Sequence, residues 1–236
     1  TVRTEQGIWI APTYRAVWIL PGVRHTTYSS RPYQLCSLLF EPDLIELPSK
    51  CGVVAIDPLL HELLLAAALF GPNYKPASAE ERLIHVIFDR LPKLPVLPLY
   101  LPQPKDDRLQ IITRQLIKEP SNTQPLSILA GAAGLTERTA ERLFHKETGM
   151  TFGKWRQQLR LVTALQKLSH GKSVTEVALD VGYNDVSAFI AMFKNTLGVT
   201  PAQYFKQNDK FAKSMRFSFP DSPLFLTHNN ITKPTT

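Results

Sequence analysis

The segment VTEVALDVGYNDVSAFIAMFKNTLGVTP (Val174–Pro201) decides the fold, because LSILAGAAGLTERTAERLFHKETGMTF (Leu126–Phe152) carries the same pattern earlier in the chain. Each copy has Ala-x-x-x-Gly, then a polar residue suited to capping a helix, then a Phe with a Gly five residues beyond it. In the first copy Leu126, Leu129, Ala130 and Ala133 share one helical face, and Gly134 permits the left-handed residue that ends the helix. Thr136 can then cap a second helix that turns Ala140, Leu143 and Phe144 inward. The second copy repeats this with Val174, Val177, Ala178 and Val181, then Gly182, then Asp185 as the cap, then Phe189, Met192 and Phe193. The small Ala130 and Ala178 let paired helices cross closely. Two helices joined by a tight turn form a helix-turn-helix pattern, which ordinary helical hairpins share. Two such units in register, differing by one residue in the turn, are a much stronger signal.

Between the copies, TFGKWRQQLRLVTALQKLSHG (Thr151–Gly171) reads as a capped helix ending at Gly171. Its apolar positions Trp155, Leu159, Leu161, Val162, Leu165 and Leu168 spread widely enough to touch both neighbours. At ~1.5 Å per residue such a helix is a rod of roughly 30 Å. Successive major-groove faces of B-DNA lie ~34 Å apart. One chain can thereby offer its two second helices to adjacent grooves, work otherwise shared between the halves of a dimer.

The outward positions of the first such helix are Glu137, Arg138, Thr139, Glu141 and Arg142. Arg138 and Arg142 stand four apart and project together, each able to fork onto guanine N7 and O6. The plainer alternative pairs them with Glu137 and Glu141 on a solvated surface. The second helix presents Val186, Ser187, Ala188, Ile190 and Ala191, a largely apolar face suited to thymine methyls. Alternatively this half positions the duplex, with Lys194, Asn195 and a helix start at Thr200 holding phosphates. Lys146, Lys154, Arg156 and Lys172 are further phosphate candidates.

From about Leu109 to Phe205 the sequence resembles the DNA-binding domain of the AraC/XylS family of bacterial transcription regulators. Ala178, Gly182, Tyr183, Phe189, Phe193, Lys194, Gly198 and Pro201 stand where that family's signature expects them. The resemblance implies a sequence-specific regulator, activator or repressor, that binds double-stranded DNA. It also implies RNA polymerase and a second copy of the chain as further partners, and places the base-reading positions on the helix that holds Arg138 and Arg142.

Upstream, GIWIAP, RAVWILP and QLCSLLFEP alternate as half-buried strands do, bounded by Gly, Pro and Ser, so residues 1 to about 48 read as some five antiparallel strands. Two helices follow. DPLLHELLLAAALFG opens on Asp57 as the cap, and SAEERLIHVIFDRL opens on Ser78 with Leu83, Ile84, Ile87, Phe88 and Leu91 on one face. Their apolar sides suit packing on the strands or a dimer interface equally. Prolines at 92, 95, 98, 102 and 104 forbid helix and central strand, so residues 92–106 read as an extended linker. The expected organisation is therefore α+β in two domains. Residues 1–91 form a strand-rich sensor or dimerisation domain, and 107–207 an all-α domain of two helix-turn-helix units joined by a long helix. Residues 208–236 form a tail expected to be disordered, apart from PLFLT docking.

GIWIAPTYRAVWILPGVRHTTYSS resembles the second half of the small cupin-like β-barrel with which many regulators of this family bind an effector, its first strands absent here. The resemblance makes a small-molecule effector the expected ligand, with Trp9, Trp18, His25 and Tyr28 as candidate contacts and Tyr33 nearby. In metal cupins a Pro-x-Gly-x-x-His element supplies one ligand. Here Pro21 and Gly22 adjoin, His25 stands in place, Ser29 replaces the usual Asn, and the His-x-His and Glu partners are missing. No metal or other cofactor is expected, and a cupin-type enzyme with a helical appendage is the weaker alternative. The remaining histidines and the two cysteines show no ligand spacing, and Cys36 in QLCSLLF reads as a buried free thiol. A net charge of +7 and a pI near 9.4 suit a polyanionic partner, specifically read or, as a further alternative, bound nonspecifically. The longest apolar run, Leu63–Phe70, is too short to span a bilayer, so a soluble cytoplasmic protein is expected.

Overall fold

The structure is a computed structural model of the 236-residue chain and describes residues 1–12, 15–29, 36–41, 44–46, 48–70, 73–206 and 224–227. It is α+β, with eight strands within residues 2–102, helices through most of the rest, and a last strand at 224–227. The chain divides into two compact units whose boundary does not follow sequence order. One unit takes Thr1–Thr13, Arg24–Tyr28 and Leu97–Asp209, and the other takes Tyr14–Val23, Ser29–Val96 and Lys210–Thr236.

The first unit holds a four-stranded sheet of β1 (Val2–Thr4), β2 (Gly7–Trp9), β4 (His25–Thr27) and β8 (Tyr100–Pro102), ordered β4-β1-β2-β8. β8 forms within the proline-rich stretch as an antiparallel partner of β2, with Ile8 opposite Leu101 and Trp9 opposite Tyr100. As an edge strand it needs hydrogen bonds on one side only, so Pro102 costs the ladder nothing. The period-2 alternation sorts the faces. Ile8, Ile10 and Leu101 enter a core shared with helices, while Trp9 stacks on Tyr100 at 4.6 Å between ring centroids. Gly7 makes room for that ring, since a Cβ there would lie 2.3 Å from Tyr100 Cε2.

The second unit pairs β3 (Arg15–Trp18) antiparallel with β6 (Gly52–Ala55), to which β7 (Val96–Leu97) adds. Two helices, α1 (Pro58–Phe70) and α2 (Ala79–Arg90), pack together, burying Leu60, Ala67, Ile84, Ile87 and Phe88 against residues that include Trp18 and Phe40. The caps stand where the sequence places them. Asp57 Oδ1 accepts from Leu60 N at 2.9 Å, and Ser78 Oγ accepts from Glu81 N at 3.3 Å. Asp57 also receives Arg90 Nη2 at 2.6 Å; the Leu60 amide first, and that guanidinium as well, hold its carboxyl below the usual range. A 3-10 turn (Leu91–Lys93) follows α2.

β5 (Cys36–Leu39) pairs in parallel with β9 (Leu224–Thr227), so the last four residues of PLFLT dock on it. The rest of 208–236 lies outside the described residues, as does Tyr33. Cys36 is a correction. The expected buried thiol is exposed, because β5 belongs to a two-stranded sheet that leaves its first residue uncovered. The five strands expected before residue 48 are present, but they are divided among three sheets, and no closed barrel forms among the described residues.

Candidate nucleic-acid interface

Among the described residues six helices and a further helical segment at 201–206 build the C-terminal part, starting with α3 (Asp107–Lys118), which is capped by Asp106 and buries Leu109, Ile112 and Leu116. α4 (Leu126–Ala132) and α5 (Glu137–Thr148) form the first helix-turn-helix, α6 (Phe152–Ser169) connects, and α7 (Val174–Asp180) and α8 (Val186–Leu197) form the second. The two turns close identically. Leu135 N donates to Ala130 O at 2.8 Å around Gly134 at φ 69°, and Tyr183 N donates to Ala178 O at 2.9 Å around Gly182 at φ 85°. Each bond returns the chain onto a carbonyl in the last turn of the preceding helix. Thr136 Oγ1 accepts from Thr139 N at 3.3 Å, and Asp185 accepts from Ser187 N at 2.9 Å and Ala188 N at 3.3 Å. Ser173 and Glu176 add a full capping box to α7.

The inward faces are the ones the repeat predicts. Leu126, Leu129, Ala130, Ala140, Leu143 and Phe144 are buried in the first half, and Val177, Ala178, Val181, Phe189, Met192 and Phe193 in the second. The first core also takes Trp155, Leu159 and Val162 of α6, together with Ile8, Ile10 and Leu101 of the sheet. Sequence reasoning missed this sheet contribution, because strand partners some ninety residues away leave no local signal. Polar contacts fasten it. Trp155 Nε1 donates to the buried Pro102 O at 2.7 Å, and Gln158 Nε2 donates to Tyr100 O at 3.1 Å. Glu147 accepts from Lys105 N at 2.7 Å and Asp106 N at 3.0 Å.

With those faces inward, Arg138 and Arg142 are exposed on α5, as are Glu137 and Glu141, and neither arginine takes an ion pair or hydrogen bond among the described residues. Thr139 is half-buried, its hydroxyl 2.9 Å from that of Thr136. On α8 Ser187, Ala188 and Ala191 are exposed, while Val186 and Ile190 are half-buried. Lys146, Lys154, Lys194 and Asn195 are exposed. Thr200 caps the helical turn at 201–206, accepting from Gln203 N at 3.3 Å.

Two phosphate candidates are otherwise engaged. Lys172 Nζ lies 2.8 Å from Asp180 Oδ2, which also receives Lys167 Nζ at 2.6 Å. These ammonium groups, Lys167 first, hold the Asp180 carboxyl below its usual range, and Asp180 in turn raises Lys172. Arg156 Nη1 donates to Gln124 O at 2.7 Å, and its guanidinium lies 4.7 Å from the Phe152 ring centroid. One residue that sequence reasoning passed over stands beside it. Arg160 lies over the Tyr183 ring at 5.3 Å, and its four-residue spacing from Arg156 was the available signal.

Of the candidate effector contacts, Trp9 is buried in β2, His25 is exposed in β4, and Tyr28 is 68% exposed, all three in the first unit. Trp18 belongs to the second unit's core. Among the described residues no group of three or more His, Cys, Asp or Glu could hold a metal ion, and no helix is long and apolar enough to cross a membrane.

Two capped helical pairs in register, each with an outward second helix, define a double helix-turn-helix protein. A helix-turn-helix domain model matches residues 129–207. The chain is 38% identical over 204 residues to the HTH-type transcriptional regulator NimR of Escherichia coli (strain K12), covering 86% of this chain and 75% of that one. It is 36% identical over 102 residues to the transcriptional activator NphR of a Rhodococcus species, 43% of this chain and 30% of that one. Among solved structures, the DNA-binding domain of AdpA in complex with a target DNA is similar at 25% identity, over 45% of this chain and 95% of that chain, with a TM-score of 0.41. The chain belongs to the AraC/XylS family of transcription regulators. It is a sequence-specific DNA-binding regulator of transcription.

Proposed function

We propose that α5 and α8 enter adjacent major grooves on one side of the duplex, with Arg138 and Arg142 reading guanine edges. The observation that carries this reading is the duplicated, identically closed turn, which gives one chain two equivalent reading helices. The 18 residues of α6 make a connector of about 27 Å, close to the ~34 Å helical repeat. The uncharged outer positions 186–191 of α8 favour thymine methyls over guanine as their counterpart. Lys146, Lys154 and Lys194 hold phosphates beside these helices, and Asn195 and Thr200 supply uncharged donors.

The strand-rich N-terminal region serves, on its cupin-like resemblance, as the sensor of a small-molecule effector, in a protein that works in the cytoplasm as a regulator rather than an enzyme. Effector binding there changes how a homodimer occupies its operators and meets RNA polymerase.

The experiment measures binding of the chain to DNA upstream of its own gene, and to duplexes selected from random sequence, under excess random competitor. Wild type is compared with the double variant Arg138→Ala, Arg142→Ala. Competitor-resistant binding that drops at least tenfold in the double variant supports the reading, since each good bidentate guanine contact discriminates by ~1–3 kcal/mol. Equal binding by both proteins removes α5 as the reader.

A further inference from the structure

Arg156 and Arg160 stand one turn apart on α6 and project together. The first reaches Gln124, two residues before α4, and the second covers Tyr183, two residues before the cap of α8. Arg160 Nη2 also lies 2.8 Å from where a Cβ on Gly182 would be. The pair thus occupies the middle of the double helix-turn-helix, between the entry to its first half and the turn of its second.

Both side chains are half-buried, and among the described residues no carboxylate pairs with either. Arg160 Nε is buried without a hydrogen-bond partner. Burial first, and the neighbouring Arg160 charge second, push the Arg156 guanidinium below its ordinary range. Two like charges held together in a partly desolvated place, with a donor left over, are costly alone and well matched to an anion. Guanidinium forks fit phosphate bidentately. Between two successive major grooves on one side of a duplex lies the minor groove, edged on both sides by sugar-phosphate backbone that offers phosphates to the protein.

We infer that Arg156 and Arg160 form a phosphate clamp on the backbone between the two grooves, which extends the DNA-binding surface of α6 from Lys154 at its start to the middle of the helix. The inference rests on the reading of α5 and α8 as the groove-entering helices. It gives the guanidinium pair a role besides packing: bound DNA supplies the counter-charge that the folded protein lacks there.

The test uses the full chain and two kinds of duplex, one enriched by selection and one of random sequence. Binding is measured across a salt series for wild type, Arg156→Gln and Arg160→Gln. Each lost phosphate contact lowers the slope of log K against log salt by about 0.9. The expected result is a slope smaller by about 1 for either variant, on both duplexes, with the ratio between the duplexes unchanged. A second arm needs only wild-type protein. Phosphates between the half-sites are replaced one at a time by neutral methylphosphonate, and several-fold weakening is expected at one or two of them. Unchanged slopes in both variants overturn the clamp. So does indifference of the wild type to neutralisation of every phosphate between the half-sites, which settles the matter even if Arg160→Gln unfolds by losing its place on Tyr183. Selection that yields no consensus, while the slope still responds to Arg156→Gln, defeats the specific reading and keeps the clamp. Binding to no duplex at all overturns both.

Discussion

Gly134 and Gly182 hold equivalent places in the two turns, at φ 69° and 85°, yet alanine at the two sites should have different consequences. At either position a side chain is forced into the left-handed region, at a cost of roughly 1–2 kcal/mol. At Gly134 that is the whole cost, since a Cβ would meet nothing within 4 Å. At Gly182 the new methyl would lie 2.8 Å from Ser121 O, 3.0 Å from Ser121 Cα and 2.8 Å from Arg160 Nη2. The arginine end can swing away, but the Ser121 backbone belongs to the loop between α3 and α4 and must shift bodily. Overpacking of that kind adds about 1–3 kcal/mol. Gly182→Ala should therefore cost about 2–5 kcal/mol against about 1–2 for Gly134→Ala. Urea unfolding of the purified variants, followed by far-ultraviolet circular dichroism, reads the difference. With slopes of ~1–3 kcal/mol/M, an excess of 2 kcal/mol separates the midpoints by about 1 M. Equal midpoints for the two variants would refute the reasoning, because the backbone conformation is common to both and only the Ser121 contact differs.

Trp155→Phe should destabilise by about 1–3 kcal/mol in the same assay, since it leaves the buried Pro102 carbonyl only the long 3.5 Å bond from Gln103 Nε2 and removes volume from a closed core. A variant as stable as wild type would mean that β8 is not held by this bond. Asp180→Asn tests the cluster beneath α7. The folded carboxyl is held low, so its contribution is fully present above the ordinary value near ~3.9 and is lost as pH falls through the folded value. The ion pairs are partly exposed, so the loss at pH 7 should be on the order of 0.5 kcal/mol. Melting wild type and variant at pH 7 and pH 2.5 should show that difference shrinking in acid, and a difference that persists would point to packing instead of charge.

The helical half of the molecule was legible because its signals are local. A turn such as Gly182-Tyr183-Asn184-Asp185 states a stop, a left-handed residue and a cap within four positions, and α7, α8 and the buried Phe189 and Phe193 follow from the 3.6-residue period. Asp57, Ser78, Thr136 and Thr151 were readable as caps for the same reason. The strands were less so. β6 and β8 carry too few residues for alternation to register, and Pro102 counts against a strand until its place at the sheet edge is known. At the candidate interface the exposure of Arg138 and Arg142 followed from the repeat. The engagement of Arg156 with the Gln124 carbonyl, of Lys172 with Asp180 and of Arg160 with Tyr183 did not, because each joins groups from different parts of the chain.

The two halves share a plan, but they are supported differently, and that bears on how a signal would reach them. The first half closes its core with Ile8, Ile10 and Leu101, so the sheet is part of the structure that presents Arg138 and Arg142. The second half closes on aromatic rings of its own, Phe189 against Tyr183 and Phe193 against Tyr204. It is further keyed to α6 and the 119–125 loop through Gly182, Arg160 and Ser121. A displacement of β2 or β8 therefore acts on the first half through the core that Ile8, Ile10 and Leu101 share with Ala140, Leu143 and Phe144 of α5. It reaches the second half through α6, to which β8 is fastened at Trp155 and Gln158, and through the 119–125 loop. Interiors this closely packed do not deform smoothly. A shift of β2 or β8 would thus change the angle between α5 and α8 before it loosened either one, and on the proposed docking into two grooves the fit depends on that angle.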